Sequence, residues 1–285
     1  MRATHLLLFT SALLSACADV PTEAIDSPGP SFITADFQED NVHTWVGLIA
    51  LYDANDEFLG RCSGSLISAT VFLTAGHCIE GASSARIWFA QDAGAHFDET
   101  TELDPVTGYP HTCLPQAAPC VTSHEMYNYG WVGFVDFTNY DPKDVAIVIL
   151  DSPVTTVGFG ELAPVGTLDG WATGPGKPGV NLTITGYGIS RVLPAEVDHR
   201  ERLMANVSLI NLRSAQNAGF MVQVSSNRGN GRGGVCFGDS GGPLLYEGQI
   251  VGVASVNLNP TCNGGSTLFY RIDQAAVQTW IANPS

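Results

Sequence analysis

Short β-rich runs, separated by glycine, aspartate and asparagine, constrain the fold of this chain more than any other feature. From Trp45 onward about ten such runs follow one another at spacings of roughly 10 to 30 residues. The 31 glycines and 16 prolines also favour many short strands over long helices. The sequence therefore predicts an all-β protein of barrels or sandwiches. The clearest runs are 45–51, 71–75, 85–90, 145–150, 180–185, 204–210, 220–225, 250–256 and 267–272.

Three other segments have a different pattern. Residues 273–283 carry apolar side chains at helical spacing, with Asp273 as a cap, which predicts one closing helix. Residues 91–131 are weakly patterned and predict an irregular, inserted loop. The glycine- and proline-rich residues 170–179 predict a connection between two halves of the fold.

Composition bounds the class of function. Hydrophobic residues make up 45% of the chain and charged residues 14%, so there is enough apolar surface for a packed core. The chain has 12 Lys plus Arg against 28 Asp plus Glu, a formal net charge of -16. A surface this acidic repels phosphate backbones and anionic lipids, so we expect no nucleic-acid partner.

The N-terminus has the features of an export signal. Residues 1–18 contain a short basic start, an apolar run too short to span a bilayer, and small residues after it. The end of that run, residues 14–17, is similar to a bacterial lipobox, which implies cleavage before Cys17, acylation of its thiol and a lipid anchor. The alternative is a simple signal cut after Ala18. Residues 19–32 are acidic and proline-rich, which predicts a flexible tether or a propeptide.

The cysteine count fits an exported protein. Of the seven cysteines, Cys17 is either acylated or removed with the signal, so it forms no disulfide. The remaining six cysteines, an even number, predict three disulfides. For one pair a zinc knuckle is an alternative, formed by His111, Cys113, Cys120 and His124. The acidic stretch 98–104 is either a solvated loop or a calcium ligand set. We expect oxidised cysteines, no metal and no cofactor.

Residues 236–243 (CFGDSGGP) carry the strongest chemical signal. Small residues around Ser240 let a substrate carbonyl approach its Oγ and the backbone N–H groups together. The segment also matches Gly-x-Ser-x-Gly, the motif of an α/β-hydrolase elbow. In that fold the histidine follows the serine, but the last histidine of this chain is His199. The α/β-hydrolase interpretation is therefore excluded.

Two upstream segments complete the pattern. Residues 73–78 (LTAGHC) place His77 at the end of an apolar, β-branched run, and residues 141–150 (DPKDVAIVIL) place Asp144 at the start of a buried strand. The order His77, Asp144, Ser240 in these three contexts strongly resembles the trypsin and chymotrypsin family of serine proteases.

The resemblance covers roughly residues 33–285. It implies two six-stranded antiparallel barrels, over 33–165 and 170–272, with the active site in the cleft between them and the closing helix at 273–283. Residues 185–188 (TGYG) resemble the end of the first strand of the family's second barrel.

The resemblance also implies roles for the site residues. Ser240 Oγ attacks the peptide carbonyl, His77 takes the proton and returns it to the leaving amine, and Asp144 holds the imidazole. The backbone N–H groups of Gly238 and Ser240 form the oxyanion hole. The implied disulfides are Cys62–Cys78 and Cys236–Cys262, which leaves Cys113–Cys120 as the third pair.

The specificity region departs from trypsin-like members of the family. They carry an acidic residue six positions before the nucleophile, where this chain has Gly234, followed by Val235. Ser255 lies in the segment that resembles the substrate-pairing strand, and Asn257 replaces a glycine that is usual in open pockets. We therefore expect preference for neutral, small to medium apolar residues. The alternative is that Arg232 turns into the pocket and favours acidic substrates.

Activation is the second departure. Family zymogens are cut so that a new amine pairs with the aspartate before the nucleophile, here Asp239. Ile33 is the candidate for that amine, although the basic residue and glycines usual at such a cut are missing. A cut near Phe32 would activate the enzyme and release it from an anchor at Cys17. Glycine at position 76, where the family often has alanine, is expected to be neutral.

The sequence as a whole predicts a monomeric serine endopeptidase that acts on protein or peptide substrates. We expect it in the extracellular space or in the cell envelope of a bacterium, as a lipoprotein. The alternative is a catalytically dead family member that serves as a binding module. The presence of all three catalytic residues and of the oxyanion glycine favours the enzyme.

Overall fold

The computed structural model contains two antiparallel sheets and one C-terminal helix. It describes residues 37–93, 113, 120–133, 141–171, 180–189, 200–212, 218–227, 232–259, 262 and 264–285. The predicted signal and tether, with Cys17 and Ile33, and the acidic stretch 98–104 lie outside these residues. The strands are β1 (Gln38–Glu39), β2 (Val46–Tyr52), β3 (Phe58–Ser68), β4 (Val71–Thr74), β5 (Ser84–Trp88), β6 (Cys120–Ser123), β7 (Glu125–Asn128), β8 (Ala146–Ile149), β9 (Asn181–Gly186), β10 (Leu203–Asn211), β11 (Met221–Ser225), β12 (Pro243–Tyr246), β13 (Gln249–Asn257) and β14 (Ser266–Arg271).

The first sheet has the strand order β6-β5-β2-β3-β4-β8-β7. Its strand β2 is buried at every position, because it pairs with β3 on one side and β5 on the other. Only His124 separates β6 from β7, and these two strands pair with β5 and β8, respectively. The segment 120–128 thus joins the two edges of the sheet. The prediction of an irregular loop over 91–131 is wrong for this segment.

The second sheet closes on itself. Strands β10, β11, β14, β13, β12 and β9 follow one another, and β9 pairs back onto β10, which closes a six-stranded antiparallel barrel. Strand β1 precedes the first sheet in the chain but pairs with β10 of the second. The predicted all-β fold is confirmed, with one closed barrel, one half-barrel and a C-terminal helix.

The closing helix α1 (Ala275–Ala282) lies inside the range that its apolar spacing predicts. It buries Val277 and Ile281 in the larger apolar cluster, which the first sheet dominates. Asp273 is not its cap, because Gln274 occupies that position. The Asp273 carboxylate instead accepts hydrogen bonds from the Leu168 amide and from the Arg271 guanidinium. No helix in the described part of the chain is long and apolar enough to cross a membrane.

Candidate active site

Strand pairing in the first sheet brings His77 to Asp144. Strands β4 and β8 are antiparallel, and Thr74 at the end of β4 pairs with Ala146 at the start of β8. His77 follows that pair in a short 3₁₀ helix, Gly76–Ile79, and Asp144 precedes it. The two residues lie far apart in the sequence, but the antiparallel pairing places both at the same end of the two neighbouring strands.

Three donors hold the Asp144 carboxylate, which is fully buried. His77 donates its backbone N–H to Oδ1 and its ring Nδ1–H to Oδ2, both at 2.8 Å. Ser255 Oγ, from β13 of the second sheet, donates to Oδ2 at 2.6 Å. With Nδ1 engaged in this way, Nε2 is the ring nitrogen that can accept a proton.

Ser240 faces the same cavity as the imidazole. His77 and Ser240 both line a cavity of about 210 Å³ that opens between the two sheets. Within the described residues Ser240 Oγ forms no hydrogen bond to the ring. In proteases without bound substrate this bond is often long and tightens only in the complex. The three predicted catalytic residues therefore meet at one site, with the His77–Asp144 pair already formed.

The turn before Ser240 presents two backbone donors. Gly238 has a φ of 96°, a conformation that favours glycine. Among the described residues, neither its amide nor that of Ser240 donates to another group. Ser63 of β3 fixes the turn, because its N–H donates to Ser240 O at 2.7 Å and its Oγ donates to Gly238 O at 2.8 Å. This pair of amides is what an oxyanion hole requires.

Asp239 is fully buried beside this turn. Its carboxylate accepts hydrogen bonds from the amides of Gly188, at 2.8 Å, and Cys236, at 2.9 Å. A Cβ at position 186 or 188 would collide with the carboxylate, which explains both glycines of residues 185–188. Burial raises the pKa of Asp239 to about 6, although the two amides and the charge of Arg61 oppose the rise.

Three of the four predicted specificity residues line the cavity. These are Val235, Ser255 and Asn257, and the Asn257 side chain donates to Val235 O at 2.8 Å. Gly234 is buried behind the lining, where a Cβ would collide with Ser226. The sequence analysis did not predict the rest of the lining as part of the pocket; it comes from the segment before Ser240 and from strands β13 and β14: Cys236, Phe237, Ala254, Val256 and Thr267.

Arg232 does not line this cavity, and its backbone bridges to Asn206 of β10. The alternative of an arginine turned into the pocket therefore has no support in this conformation.

Three disulfides link the pairs that the resemblance implies. The zinc-knuckle alternative is wrong, since its two cysteines are bonded to each other and offer no thiolate. The sulfurs of Cys62 and Cys78 lie close to the His77 ring, but they too form a disulfide. The pairs are Cys62–Cys78, Cys113–Cys120 and Cys236–Cys262.

A second histidine–aspartate pair lies at a larger cavity of about 640 Å³ beside β1 and β10. His43 is half-buried and pairs its Nδ1 with Oδ2 of the buried Asp40 at 2.9 Å. Thr185 also donates to that carboxylate, at 2.6 Å, and the pKa of Asp40 is lowered to about 2, because these hydrogen bonds outweigh the opposing effect of burial. The one hydroxyl in the described lining, Thr183 Oγ1, donates to Asn206. The described lining of this cavity contains no serine or cysteine that His43 could activate, so the smaller cavity is the candidate active site.

Comparison with known proteins agrees with this geometry. The family model described as Trypsin matches residues 38–281. The chain is 28% identical over 260 residues to a chymotrypsin of Phaedon cochleariae, covering 89% of this chain and 84% of that one. It is 29% identical over 252 residues to brachyurin of Leptuca pugilator, covering 84% and 95%.

Solved structures share the fold. Human heparin binding protein superposes with a TM-score of 0.61 at 19% identity, over 88% of this chain and 98% of that one. An inactivated protease paralogue of the scabies mite superposes with a TM-score of 0.57 at 18% identity, over 90% and 98%. Because the family match spans both sheets and all three predicted catalytic positions, the chain belongs to the trypsin family of serine proteases.

Proposed function

We propose that this protein is a serine endopeptidase that hydrolyses peptide bonds through an acyl-enzyme intermediate. The observation that carries the proposal is the buried Asp144 carboxylate, which holds His77 Nδ1 at 2.8 Å while the ring and Ser240 face one cavity. A dead member that only binds ligands has no need of this arrangement.

In the first half of the reaction, Ser240 Oγ attacks the peptide carbonyl and His77 Nε2 takes the hydroxyl proton. The amides of Gly238 and Ser240 stabilise the negative charge on the carbonyl oxygen. The C–N bond then breaks as His77 returns the proton to the leaving amine. Asp144 keeps the ring oriented and stabilises its positive charge.

In the second half, water attacks the acyl carbonyl and gives its proton to His77. The ester bond breaks, Ser240 Oγ recovers a proton and the carboxylic acid product leaves. No metal or cofactor enters either half, because the side chains supply the base, the acid and the nucleophile.

We propose a preference for neutral, small to medium apolar residues at the primary pocket. The cavity lining contains no aspartate or glutamate among the described residues. A lysine or arginine of the substrate would lose its hydration there without gaining a partner. The Asn257 side chain lines the cavity and bonds to Val235 O, so it takes up space that a glycine would leave free for a larger substrate side chain. Faster cleavage after lysine or arginine than after alanine, valine or leucine in a peptide panel would overturn this preference.

We also propose that the protein is exported and activated by trimming near Phe32, with the amine of Ile33 pairing with Asp239. Three disulfides fit an oxidising compartment. Sequencing the N-terminus of active material is expected to find Ile33, and a start at Cys17 or Asp19 would refute this activation step. Mass spectrometry of the untrimmed mature protein decides between an acylated Cys17 and a simple signal.

The deciding experiment labels trimmed, oxidised protein with a phosphonofluoridate probe, beside Ser240→Ala as the matched control. We expect labelling and peptide hydrolysis that the variant loses. Absence of both in protein with the correct N-terminus and intact disulfides would refute the proposal and leave the binding module.

A further inference from the structure

Trp131 packs beside the His77 ring at a point where nothing in the motifs predicts an aromatic residue. The two ring centroids are 5.8 Å apart, with the planes inclined by 58°. The indole is 7% exposed and does not line the cavity that holds Ser240. It therefore contacts the His77 ring from outside the lining of that cavity.

Hydrogen bonds at both ends fix this tryptophan. Its backbone N–H donates to the Oδ1 of Asn128, the last residue of β7, at 2.7 Å. Its indole Nε1–H donates to Oε2 of Glu80, which caps the 3₁₀ helix of His77, at 3.2 Å. Trp131 thus connects β7 to the helix that carries the histidine.

Glycine at position 76 makes room for this packing. A Cβ there would lie 2.7 Å from the Cβ of Trp131, closer than real side chains approach, and 3.3 Å from both Asn128 Oδ1 and Asp144 Oδ1. The expectation that this glycine is neutral did not take account of that contact. An alanine at position 76 and Trp131 in its present place exclude each other.

We propose that Trp131 is a positioning residue for His77 and that Gly76 is the residue that admits it. This inference rests on the proposed function of His77 as the proton carrier. During turnover the imidazole must stay on Asp144 while Nε2 gains and loses a proton, and a rigid indole beside it restricts rotation into solvent. Misplacement of a catalytic group by about 1 Å lowers rates by about 10²-fold.

Kinetics of substituted proteins test this role. We expect Trp131→Ala to lower kcat by about 10- to 100-fold with KM changed less than about 2-fold, because Trp131 lies outside the cavity. Trp131→Phe is expected to restore part of kcat. The matched control is Trp171→Ala, because Trp171 is equally buried, at 8% exposed, but packs on Tyr246 in the second barrel. An equal loss of kcat in folded Trp171→Ala, or a change confined to KM, would overturn the proposal.

A double-mutant cycle tests the pairing of the two positions. Gly76→Ala is expected to lower kcat by about 10-fold or more beside Trp131, and by much less in the Trp131→Gly background, where the colliding Cβ is gone. Equal effects in both backgrounds would show that the two residues act independently and would refute the pairing.

A spectroscopic measurement separates this inference from the proposed function. The imidazole C–H resonances of His77 are expected to shift in Gly76→Ala and Trp131→Phe, because the indole ring current acts on them, but not in Trp171→Ala. Unmoved resonances would refute the contact even in an active enzyme. Shifted resonances in a protein that hydrolyses nothing would retain the contact and reject only the proposed function.

Discussion

The buried carboxylate of Asp239 makes the stability of the untrimmed chain depend on pH in a way that can be isolated. Its pKa rises from an ordinary 3.8 to about 6, because burial disfavours the charged form more than two amide donors favour it. That difference corresponds to about 3 kcal/mol between the two protonation states. When folding raises the pKa of an acid, its protonated form stabilises the fold at pH values below the pKa of the unfolded chain. This stabilisation is lost as the pH rises through the pKa of the folded protein.

The perturbation is Asp239→Asn, made in a Ser240→Ala background to prevent self-digestion. Urea unfolding of the two proteins, with disulfides intact, is measured from about pH 3.5 to pH 7. Asparagine cannot accept from both the Gly188 and Cys236 amides, so it shifts stability by a constant amount at every pH. Relative to the asparagine protein, we expect the aspartate protein to lose about 2 kcal/mol as the pH rises from about 4 to 6, out of about 3 kcal/mol lost over the whole titration.

Parallel stability curves for the two proteins would refute this reasoning, because Asp239 would then titrate alike in the folded and unfolded chains. Trimmed protein that begins at Ile33 provides a second comparison. A new amine beside the carboxylate would favour its charged form, so the loss between pH 4 and 6 should disappear. Its persistence in trimmed, active enzyme would show that the amine does not reach Asp239.

Three further changes have defined outcomes. Asp144→Asn should keep the fold but lower kcat by about 10⁴-fold in a peptide assay, because asparagine favours the wrong tautomer of His77. Replacing Cys62 and Cys78 together by serine should lower the free energy of unfolding by about 3 kcal/mol, measured with urea, since their loop has a sequence separation of 16. Asn257→Gly should raise kcat/KM for phenylalanine relative to alanine substrates by about 10-fold, because it removes a side chain that lines the pocket. A kcat for Asp144→Asn close to wild type, an unchanged unfolding curve for the cysteine pair, or an unchanged substrate ratio would contradict the respective argument.

The parts of the fold that sequence reasoning predicted are those with local signals. Apolar, β-rich runs bounded by turn residues indicate strands such as β2 and β8, and the three motifs carry the resemblance to the family. Strands β6 and β7 were not predicted from the sequence. β7 is polar and half-exposed, and both strands pair with partners that are distant in the chain. The cap of α1 was predicted wrongly because the Asp273 carboxylate accepts a hydrogen bond from the amide of residue 168, which is distant in the chain. The contact of Trp131 with His77 was not predicted because it depends on the space that Gly76 leaves, and Gly76 is distant from Trp131 in the sequence.

Hydrogen bonds between the two sheets hold both halves of the proposed catalytic apparatus. Asp144 precedes β8 of the first sheet, but Ser255 of the second donates to its carboxylate at 2.6 Å. Gly238 and Ser240 precede β12 of the second sheet, but Ser63 of the first fixes both through hydrogen bonds of 2.8 and 2.7 Å. The position of the proposed proton carrier and that of the proposed oxyanion donors therefore both depend on contacts between the two sheets. A change that loosens this contact without unfolding either sheet disturbs both positions at once, so activity is more sensitive to it than secondary structure is.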